Sequence, residues 1–333
     1  MNLQDHLQSA PRTKLGHWPT PFEHLPRLTS ELAGPRIWVK RDDCTGLATG
    51  GNKTRKLEYL IGEALAQKKN AVVTFGAIQS NHARQTAAAC AKVGLECHLV
   101  LSDQVSSHDD RYKSGGNVLL DYILGAEVHM VPANEPDAIR AILSELKERF
   151  DLYVIPGGGS NATGALGYAQ SILELAAQAT AENLGDTALI HASSSAGTQA
   201  GLLWGIEQSK WHADVYGINV YHDDPESLTK AIHALLSDLD ARFATTSAES
   251  ASIRVNHAYR GEGYGQSNLE TIEAIQLLAR LEGLLFDPVY SGKAIRALID
   301  QISVGAFDKY DDIIMIHTGG LPALNVYQSH FVT

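Results

Sequence analysis

The feature that most constrains the fold is a regular alternation of short apolar segments with helical patterns along most of the chain. The apolar segments have strand composition and lie at 36–40, 71–75, 96–101, 127–131, 152–155, 188–192, 215–220 and 313–316. The helical patterns lie at 57–67, 81–93, 118–124, 137–150, 163–180, 197–208, 268–282 and 291–302. Short strands that alternate with helices form βαβ units with parallel sheets and right-handed crossovers. We therefore predict an α/β fold of doubly wound, mostly parallel sheets.

Composition is that of an ordinary globular protein and argues against two other classes. The 333 residues suffice for two lobes and a large core, and 44% of them are hydrophobic and 20% charged. The net charge of −11 argues against a nucleic-acid-binding protein, which usually carries a basic patch. No run of about 18 apolar residues occurs, so we expect no membrane span.

The cysteines Cys44, Cys90 and Cys97 bear on the compartment. Their spacing is not that of metal ligands, their number is odd, and residues 1–6 contain no apolar segment of a signal peptide. Disulfides persist in oxidising compartments, so this usage favours a reducing one. We expect a cytoplasmic protein.

One lysine stands out, in Thr49-Gly50-Gly51-Asn52-Lys53. Paired glycines allow a tight turn and the close approach of another group. A lysine held after such a turn is suited to forming a Schiff base with a carbonyl compound. The alternative is a solvated lysine on a surface turn, since lysines are mostly exposed. A phosphate-binding P-loop is disfavoured, because it needs glycine directly before the lysine and Asn52 stands there.

Two segments between a strand and a helix are candidate anion sites. Ser193 to Thr198 opens a helix, where unpaired N–H groups and the helix dipole suit a phosphate. Gln79-Ser80-Asn81-His82 has the same topological position and suits a carboxylate. Both segments could instead be ordinary helix caps, because serine and asparagine cap many helices.

Two tyrosines lie beside glycines, Tyr264 in Gly263-Tyr264-Gly265 and Tyr290 shortly before Gly292. A phenol can act as an acid or base if its pKa is lowered, although packing is the commoner role. Two histidine–aspartate runs, at 108–110 and 222–224, lack the further spaced ligands of a metal site. We interpret both runs as solvated loops and predict no metal.

Together these features predict a cofactor. A lysine for an imine, a helix start for a phosphate and a polar cap for a carboxylate are what pyridoxal phosphate and an amino acid require. In a doubly wound fold such loops lie at the carboxyl ends of strands, where ligands bind.

The chain resembles the 1-aminocyclopropane-1-carboxylate deaminase / D-cysteine desulfhydrase family of fold type II (tryptophan-synthase-β-like) pyridoxal-phosphate enzymes. The resemblance extends from Pro19 to Leu324. Its motifs are Lys40-Arg41-Asp42-Asp43, the segment from Gly50 to Glu58, Gln79-Ser80-Asn81-His82, Asp287-Pro288-Val289-Tyr290 and His317-Thr318-Gly319-Gly320.

The resemblance implies a two-lobed protein with its active site in the cleft. We predict a larger cofactor-binding domain at 1–56 and 164–333 and a smaller α/β domain at 57–163. The glycine-rich breaks at 49–51 and 157–159 mark the candidate boundaries. Residues 11–30 are expected to form an extended, irregular entry segment, and residues 240–265 to be irregular and mixed.

The resemblance also implies site residues. Lys53 resembles the lysine that binds pyridoxal phosphate as a Schiff base. Cofactor contacts are implied for Lys56, Asn81, Ser195, Ala196, Gly197, Thr198, Ser291 and Thr318. Substrate contacts are implied for Ser80, Asn81, His82, Gly159, Tyr264 and Tyr290. Catalytic roles are implied for Lys53, Ser80, Tyr264 and Tyr290, with the Cα proton removed by the freed lysine or by a tyrosine.

Two positions bear on which reaction of the family applies. Ring-opening deaminases resemble Tyr-Glu-Gly-Lys and His-Leu-Gly-Gly where this chain has Ser291 and Thr318. A carboxylate would keep the pyridine nitrogen protonated, whereas a hydroxyl leaves it more nearly neutral. The substitutions favour β-elimination over cyclopropane opening. His82 agrees, because the deaminases tend to carry glutamine there.

We therefore expect a β-eliminating lyase on a cysteine-like amino acid, with D-cysteine desulfhydrase as the first hypothesis. The segments 43–49 and 155–161 also resemble the L-cysteate sulfo-lyase branch, for which Arg84, Arg111 and Lys113 are candidate sulfonate ligands. Aminocyclopropane carboxylate deaminase and a non-catalytic amino-acid-binding protein are further alternatives. A homodimer is expected from the resemblance alone.

Overall fold

The computed structural model describes residues 2–105, 110–209 and 211–332 as an α/β protein with two sheets. Its strands are Phe22–His24 (β1), Arg36–Lys40 (β2), Ala71–Ala77 (β3), Glu96–Asp103 (β4), Glu127–Pro132 (β5), Leu152–Ile155 (β6), Thr187–Ser193 (β7), Asp214–Asn219 (β8), Arg254–Asn256 (β9) and Asp312–Ile316 (β10). Its α-helices are Leu3–Gln8 (α1), Pro26–Leu32 (α2), Lys53–Ala66 (α3), Asn81–Val93 (α4), Asp110–Ser114 (α5), Gly116–Ile123 (α6), Pro136–Arg149 (α7), Ala162–Ala181 (α8), Gly197–Glu207 (α9), Pro225–Phe243 (α10), Ser247–Ser250 (α11), Leu269–Glu282 (α12) and Ser291–Ser303 (α13). Short 3₁₀ segments lie at Asp42–Cys44, Gly157–Gly159 and Leu321–His330.

The larger sheet has the order β1-β2-β10-β7-β8-β9, and the smaller sheet has the order β5-β4-β3-β6. All pairs are parallel except β1 with β2. The predicted fold class is therefore confirmed. The smaller sheet lies within the predicted smaller domain, 57–163, whereas the exact domain boundaries stay a prediction.

The larger sheet is covered on both faces, as parallel sheets require. Along β10, Ile314 and Ile316 pack into one apolar cluster with α8, α9 and α10. Their neighbours Ile313 and Met315 pack into another cluster with α12 and α13 on the opposite face. Every residue of β10 is buried, which explains why the sequence shows a continuous apolar run there.

Two predictions of local structure were wrong in part. The segment 11–30 contains β1 and most of α2, and Pro26 occupies the first position of α2, where a missing N–H costs nothing. The segment 240–265 is mixed as expected, with the end of α10, the short elements α11 and β9, and loops. The helix expected from residue 57 begins at Lys53. Within the described residues, no helix has the length and apolar character needed to cross a membrane.

Candidate active site

A cavity of about 480 Å³ lies where the carboxyl ends of strands from both sheets meet. It has the size of an ordinary small-molecule site and the position expected for one in α/β proteins. The residues that line it and follow the ends of β3, β6, β7, β8 and β10 are Ser80, Gly157, Gly158, Ser194, Ser195, Tyr221, His222 and Thr318.

The turn before α3 depends on two glycines. Gly50 and Gly51 have φ values of +76° and +131°, in the region that favours glycine. A Cβ on Gly50 would overlap the Asp43 carbonyl oxygen, and one on Gly51 would overlap the Gln85 amide. The turn therefore allows α3 to begin at Lys53, whose side chain lines the cavity.

The Lys53 amine is placed to act as a nucleophile. Its Nζ donates to the Asn52 side-chain oxygen at 3.2 Å, and no carboxylate pairs with it among the described residues. Burial lowers the pKa of Lys53 from 10.5 to about 8. A substantial fraction of neutral amine is therefore present near neutral pH, as imine formation requires.

A buried ion network holds the start of α3 in place. Arg55, two residues after Lys53, bonds both oxygens of Asp42 at 2.8 Å and the carboxylate of Glu174 at 2.9 and 3.0 Å. Lys40 contacts Glu174 at 3.2 Å. Burial alone would raise the pKa of Asp42, but the Arg55 guanidinium lowers it below the ordinary value. The network is fully paired, and losing one partner would leave a buried charge.

The loop from β7 to α9 has the features of a phosphate site. Ala196 has a φ of +66°, and α9 has no side-chain cap at its start. The Gly197 N–H donates to Ser195 O at 2.8 Å, and the next N–H groups of this uncapped helix are available to an anion. A Cβ on Gly197 would lie 2.7 Å from Ser160 Oγ and 2.9 Å from Lys56 Nζ. The hydroxyl of Ser193 is buried without a partner in the described chain and lines the cavity.

Lys56 lies behind this loop instead of lining the cavity. Its buried Nζ donates to Gly158 O at 3.0 Å and to Ser160 Oγ at 3.2 Å. Ser160 in turn donates to Ser195 Oγ at 2.8 Å. Burial, and then the nearby Lys53, lower the pKa of Lys56 well below its ordinary value. An anion bound at the loop would stabilise the charged form of Lys56 and so raise its pKa.

The start of α4 presents polar groups to the same cavity. Ser80 caps the helix by accepting from Ala83 N at 3.1 Å. Asn81 accepts from Asn117 at 3.1 Å through its side-chain oxygen, which leaves its NH₂ group as a donor. The cap predicted as an alternative is therefore present, and the first N–H groups of α4 remain as donors.

The tautomer of His82 follows from hydrogen-bond accounting. Thr74 Oγ1 lies 2.7 Å from His82 Nε2, and the hydroxyl donates to Ile155 O at 2.9 Å. Because that hydroxyl has one hydrogen, His82 donates through Nε2–H, and its Nδ1 carries a lone pair. Nδ1 is buried without a partner in the described chain. Burial, and then Lys53 and Lys56, lower the pKa of His82 well below its ordinary value.

Tyr264 and Tyr290 form a pair, with their hydroxyl oxygens 2.5 Å apart. Burial raises the pKa of both phenols, so both are neutral at physiological pH and can donate hydrogen bonds. Asp287 fixes Tyr290 by accepting from its N–H at 2.8 Å. The Tyr221 ring lies 5.3 Å from the Tyr264 ring.

The structure brings most of the predicted residues to the cavity. Those that line it are Lys53, Ser80, Asn81, His82, Ser195, Ala196, Thr198, Tyr264, Tyr290 and Thr318. Those that do not are Lys56, Gly159, Gly197 and Ser291. Ser291 is buried and donates to Asp287 Oδ1 at 2.6 Å, so its hydroxyl is already engaged away from the cavity.

The candidate sulfonate ligands do not line the cavity. Arg84 is buried and donates to Asn117 at 2.8 Å, Lys113 donates to Asp103 at 2.6 Å, and Arg111 donates to Gln328 at 3.3 Å. All three cations have partners elsewhere.

Sequence reasoning missed Asn52, Ser160 and Tyr221. It also interpreted His222 as part of a solvated loop and missed that, within this loop, His222 lines the cavity with Nε2 2.7 Å from Ser194 O. Its position directly after a predicted strand was the available signal. Residues 108 and 109 of the other histidine–aspartate run lie outside the described residues.

The residues present fit pyridoxal phosphate. The Lys53 amine suits its aldehyde, and the uncapped start of α9 with the unpartnered Ser193 hydroxyl suits its phosphate. The free NH₂ of Asn81 suits the ring oxygen, and Thr318 offers a hydroxyl to the ring nitrogen.

Comparisons with known proteins also indicate pyridoxal phosphate as the cofactor. The chain matches the family described as "Pyridoxal-phosphate dependent enzyme" over residues 13–319. It is 43% identical over 328 residues to the D-cysteine desulfhydrases of Salmonella newport (strain SL254) and Salmonella choleraesuis (strain SC-B67), with 98% of each chain covered. A solved ACC deaminase homologue superposes with a TM-score of 0.86 and 32% identity, over 99% of each chain.

More distant structures share the fold alone. The serine racemase of Dictyostelium discoideum has a TM-score of 0.67 and 18% identity, over 96% of this chain and 98% of its own. The predicted resemblance is thus confirmed on both sequence and fold. The chain belongs to the pyridoxal-phosphate dependent enzymes, in the group that includes the D-cysteine desulfhydrases and the ACC deaminase homologue.

Proposed function

We propose that this protein is a β-eliminating lyase that converts D-cysteine and water into pyruvate, ammonia and hydrogen sulfide. The observation that carries the proposal is the meeting of the Lys53 amine with the starts of α4 and α9 at one cavity. The full-length likeness to D-cysteine desulfhydrases supports the substrate.

Pyridoxal phosphate, when bound, supplies an aldehyde for the substrate amine and a conjugated ring that accepts the electron pair left at Cα. In this proposal Lys53 holds the aldehyde, and the loop 195–198 holds the phosphate with Lys56 behind it. The N–H groups at the start of α4 hold the substrate carboxylate.

Removal of the substrate's Cα proton is assigned to the freed amine of Lys53. A general base works best when its pKa lies near the operating pH, and the pKa of Lys53 is lowered to about 8. The phenols of Tyr264 and Tyr290 have raised pKa values, so very little of the phenolate form that could accept a proton is present. Of the two groups considered from the sequence, the lysine is therefore the better candidate.

The tyrosine pair is assigned to the sulfur end of the substrate. A neutral phenol can donate a hydrogen bond to a departing thiolate without losing its proton. The 2.5 Å contact between the two hydroxyls polarises the donor and strengthens this hydrogen bond. Since Asp287 fixes the Tyr290 backbone, the pair is held in place before substrate binds.

The lining of the cavity favours a thiol over a sulfonate. Among the described lining residues, Lys53 is the only lysine or arginine, and its amine is assigned to the cofactor. A sulfonate stays anionic at all physiological pH values and would need a further cation, whereas a thiol is mostly neutral. D-cysteine is therefore preferred to L-cysteate.

The polar groups also favour elimination over cyclopropane opening. No aspartate or glutamate occurs among the described lining residues, so no carboxylate keeps the ring nitrogen protonated. With Ser291 bonded to Asp287, Thr318 is the hydroxyl that remains for this nitrogen.

A substrate panel tests the proposal. The holoenzyme is incubated with D-cysteine, L-cysteine, L-cysteate and aminocyclopropane carboxylate, and pyruvate, sulfide and sulfite are measured. We expect equal pyruvate and sulfide from D-cysteine, and loss of both in Lys53→Ala. Sulfite from L-cysteate as the main product would refute the substrate, and no turnover of any compound would favour a non-catalytic amino-acid-binding protein.

We also propose a cytoplasmic homodimer with this small amino acid as its ligand. The support is the family resemblance. Light scattering on the purified protein tests the oligomeric state, and a monomer at micromolar concentration would contradict it.

A further inference from the structure

A second cluster of ionisable side chains lies in the smaller sheet, outside the active site. His98 belongs to β4, and Glu127 and His129 belong to the neighbouring parallel strand β5. His98 is in register with Glu127, and His129 lies two residues further on the same face of β5. Among the described residues of β4, β5 and their ends, those that line the active-site cavity are Ser102, near the other end of β4, and Gln104, just beyond it.

Four potential ligand atoms of three side chains converge in this cluster. His98 Nδ1 lies 3.3 Å from Glu127 Oε2 and 3.4 Å from His129 Nε2, and His129 Nε2 lies 3.7 Å from Glu127 Oε1. These separations are long for hydrogen bonds, which are most often about 2.9–3.0 Å. The two separations from His98 Nδ1 match the ~3.3–3.4 Å edge of a tetrahedron around zinc with bonds of about 2.0–2.1 Å, and the third is longer.

Hydrogen bonding alone does not satisfy His98. With its proton on Nδ1, the ring leaves Nε2 as a bare acceptor that is buried without a partner in the described chain. With its proton on Nε2, the Nδ1 lone pair faces the carboxylate of Glu127, acceptor against acceptor. A cation bound between Nδ1 and the carboxylate removes the conflict at Nδ1, while the Nε2–H stays buried with no acceptor in the described chain.

We propose that His98, Glu127 and His129 form a binding site for one zinc ion, with a fourth position open to water. Two imidazoles and a carboxylate are a common zinc ligand set. The ion would fasten the edge strand β5 to β4, because its ligands come from both strands.

The test uses tag-free holoenzyme freed of metal with a chelator. Zinc chloride is titrated into it by calorimetry in a buffer that does not bind zinc. We expect one equivalent per chain and an increase in the melting temperature. His129→Gln and Glu127→Gln should each weaken binding by at least about tenfold, since even outer-shell changes cost that much.

His233→Gln is the matched control, because His233 is an exposed histidine on α10 away from the cluster. Its zinc affinity should equal that of the parent protein. Glu127 is exposed and His129 is partly exposed, so their variants should fold, which circular dichroism checks. The absence of zinc binding, or equal binding by His129→Gln and the parent, would overturn the site.

Discussion

The lowered pKa of Lys53 predicts how cofactor uptake depends on pH. Only the neutral amine attacks an aldehyde. With a pKa of about 8, roughly 9% of Lys53 is neutral at pH 7, whereas the ordinary value of 10.5 would give about 0.03%. Burial at the start of α3 therefore raises the reactive fraction by about 300-fold.

The assay measures the rate at which apoenzyme regains the long-wavelength absorbance of bound cofactor, between about pH 6 and pH 10. The cofactor is first removed by exchange with hydroxylamine at neutral pH. We expect the rate to rise about tenfold per pH unit and to level off near pH 8. Lys53→Ala should give no band, whereas Lys113→Ala, which changes an amine outside the cavity, should behave as the parent. A rate that still rises tenfold between about pH 9 and pH 10 would refute the reasoning.

Three further predictions concern single substitutions. Burial raises the pKa of Asp121 to about 8, so the folded protein loses stability as the pH rises from about 4 to about 8. Asp121→Asn should therefore raise the free energy of unfolding at pH 7 by up to about 4 kcal/mol. Urea denaturation measures this gain, which should be smaller at pH 5. Tyr290→Phe should lower kcat for D-cysteine by about 10²-fold and leave the cofactor absorbance in place; an unchanged kcat would contradict its role as a hydrogen-bond donor to the departing sulfur. Ser291→Glu, which would place a second buried carboxylate beside Asp287, should destabilise the protein by about 3 kcal/mol. In the double variant Ser291→Glu with Thr318→Leu, activity should move towards cyclopropane substrates, although the double variant carries the same loss of stability. Thermal unfolding of the single and the double variant measures that loss.

Local patterns were sufficient to predict the framework. Strands such as β10 are buried on both faces, so their apolar runs are visible without knowledge of their partners. The helix α10 was missed, although Asp224 and Pro225 mark its start, with Asp224 accepting from Glu226 N at 3.1 Å. Its apolar face packs on the same cluster as α8 and α9, which the sequence does not show.

The site divides in the same way. The segments at Ser80 and Ser195 closely follow β3 and β7, so topology alone brings them to one edge, whereas Lys53 reaches it through the glycine turn after β2. The contact of Tyr264 with Tyr290 joins two loops 26 residues apart, and the bond of Ser291 to Asp287 turns its hydroxyl from the cavity. Which side chains make these contacts depends on tertiary packing, and a sequence pattern gives no information about that packing.

The ion network under α3 has a practical consequence for handling this enzyme. The pKa values of Asp42 and Glu174 are lowered in the folded chain despite their burial, chiefly by Arg55, so their stabilisation is present above about pH 4 and is lost in stronger acid. Arg55 lies two residues after the lysine assigned to the cofactor. We therefore expect dialysis against strong acid to release the prosthetic group and to destabilise the segment that holds it in the same step.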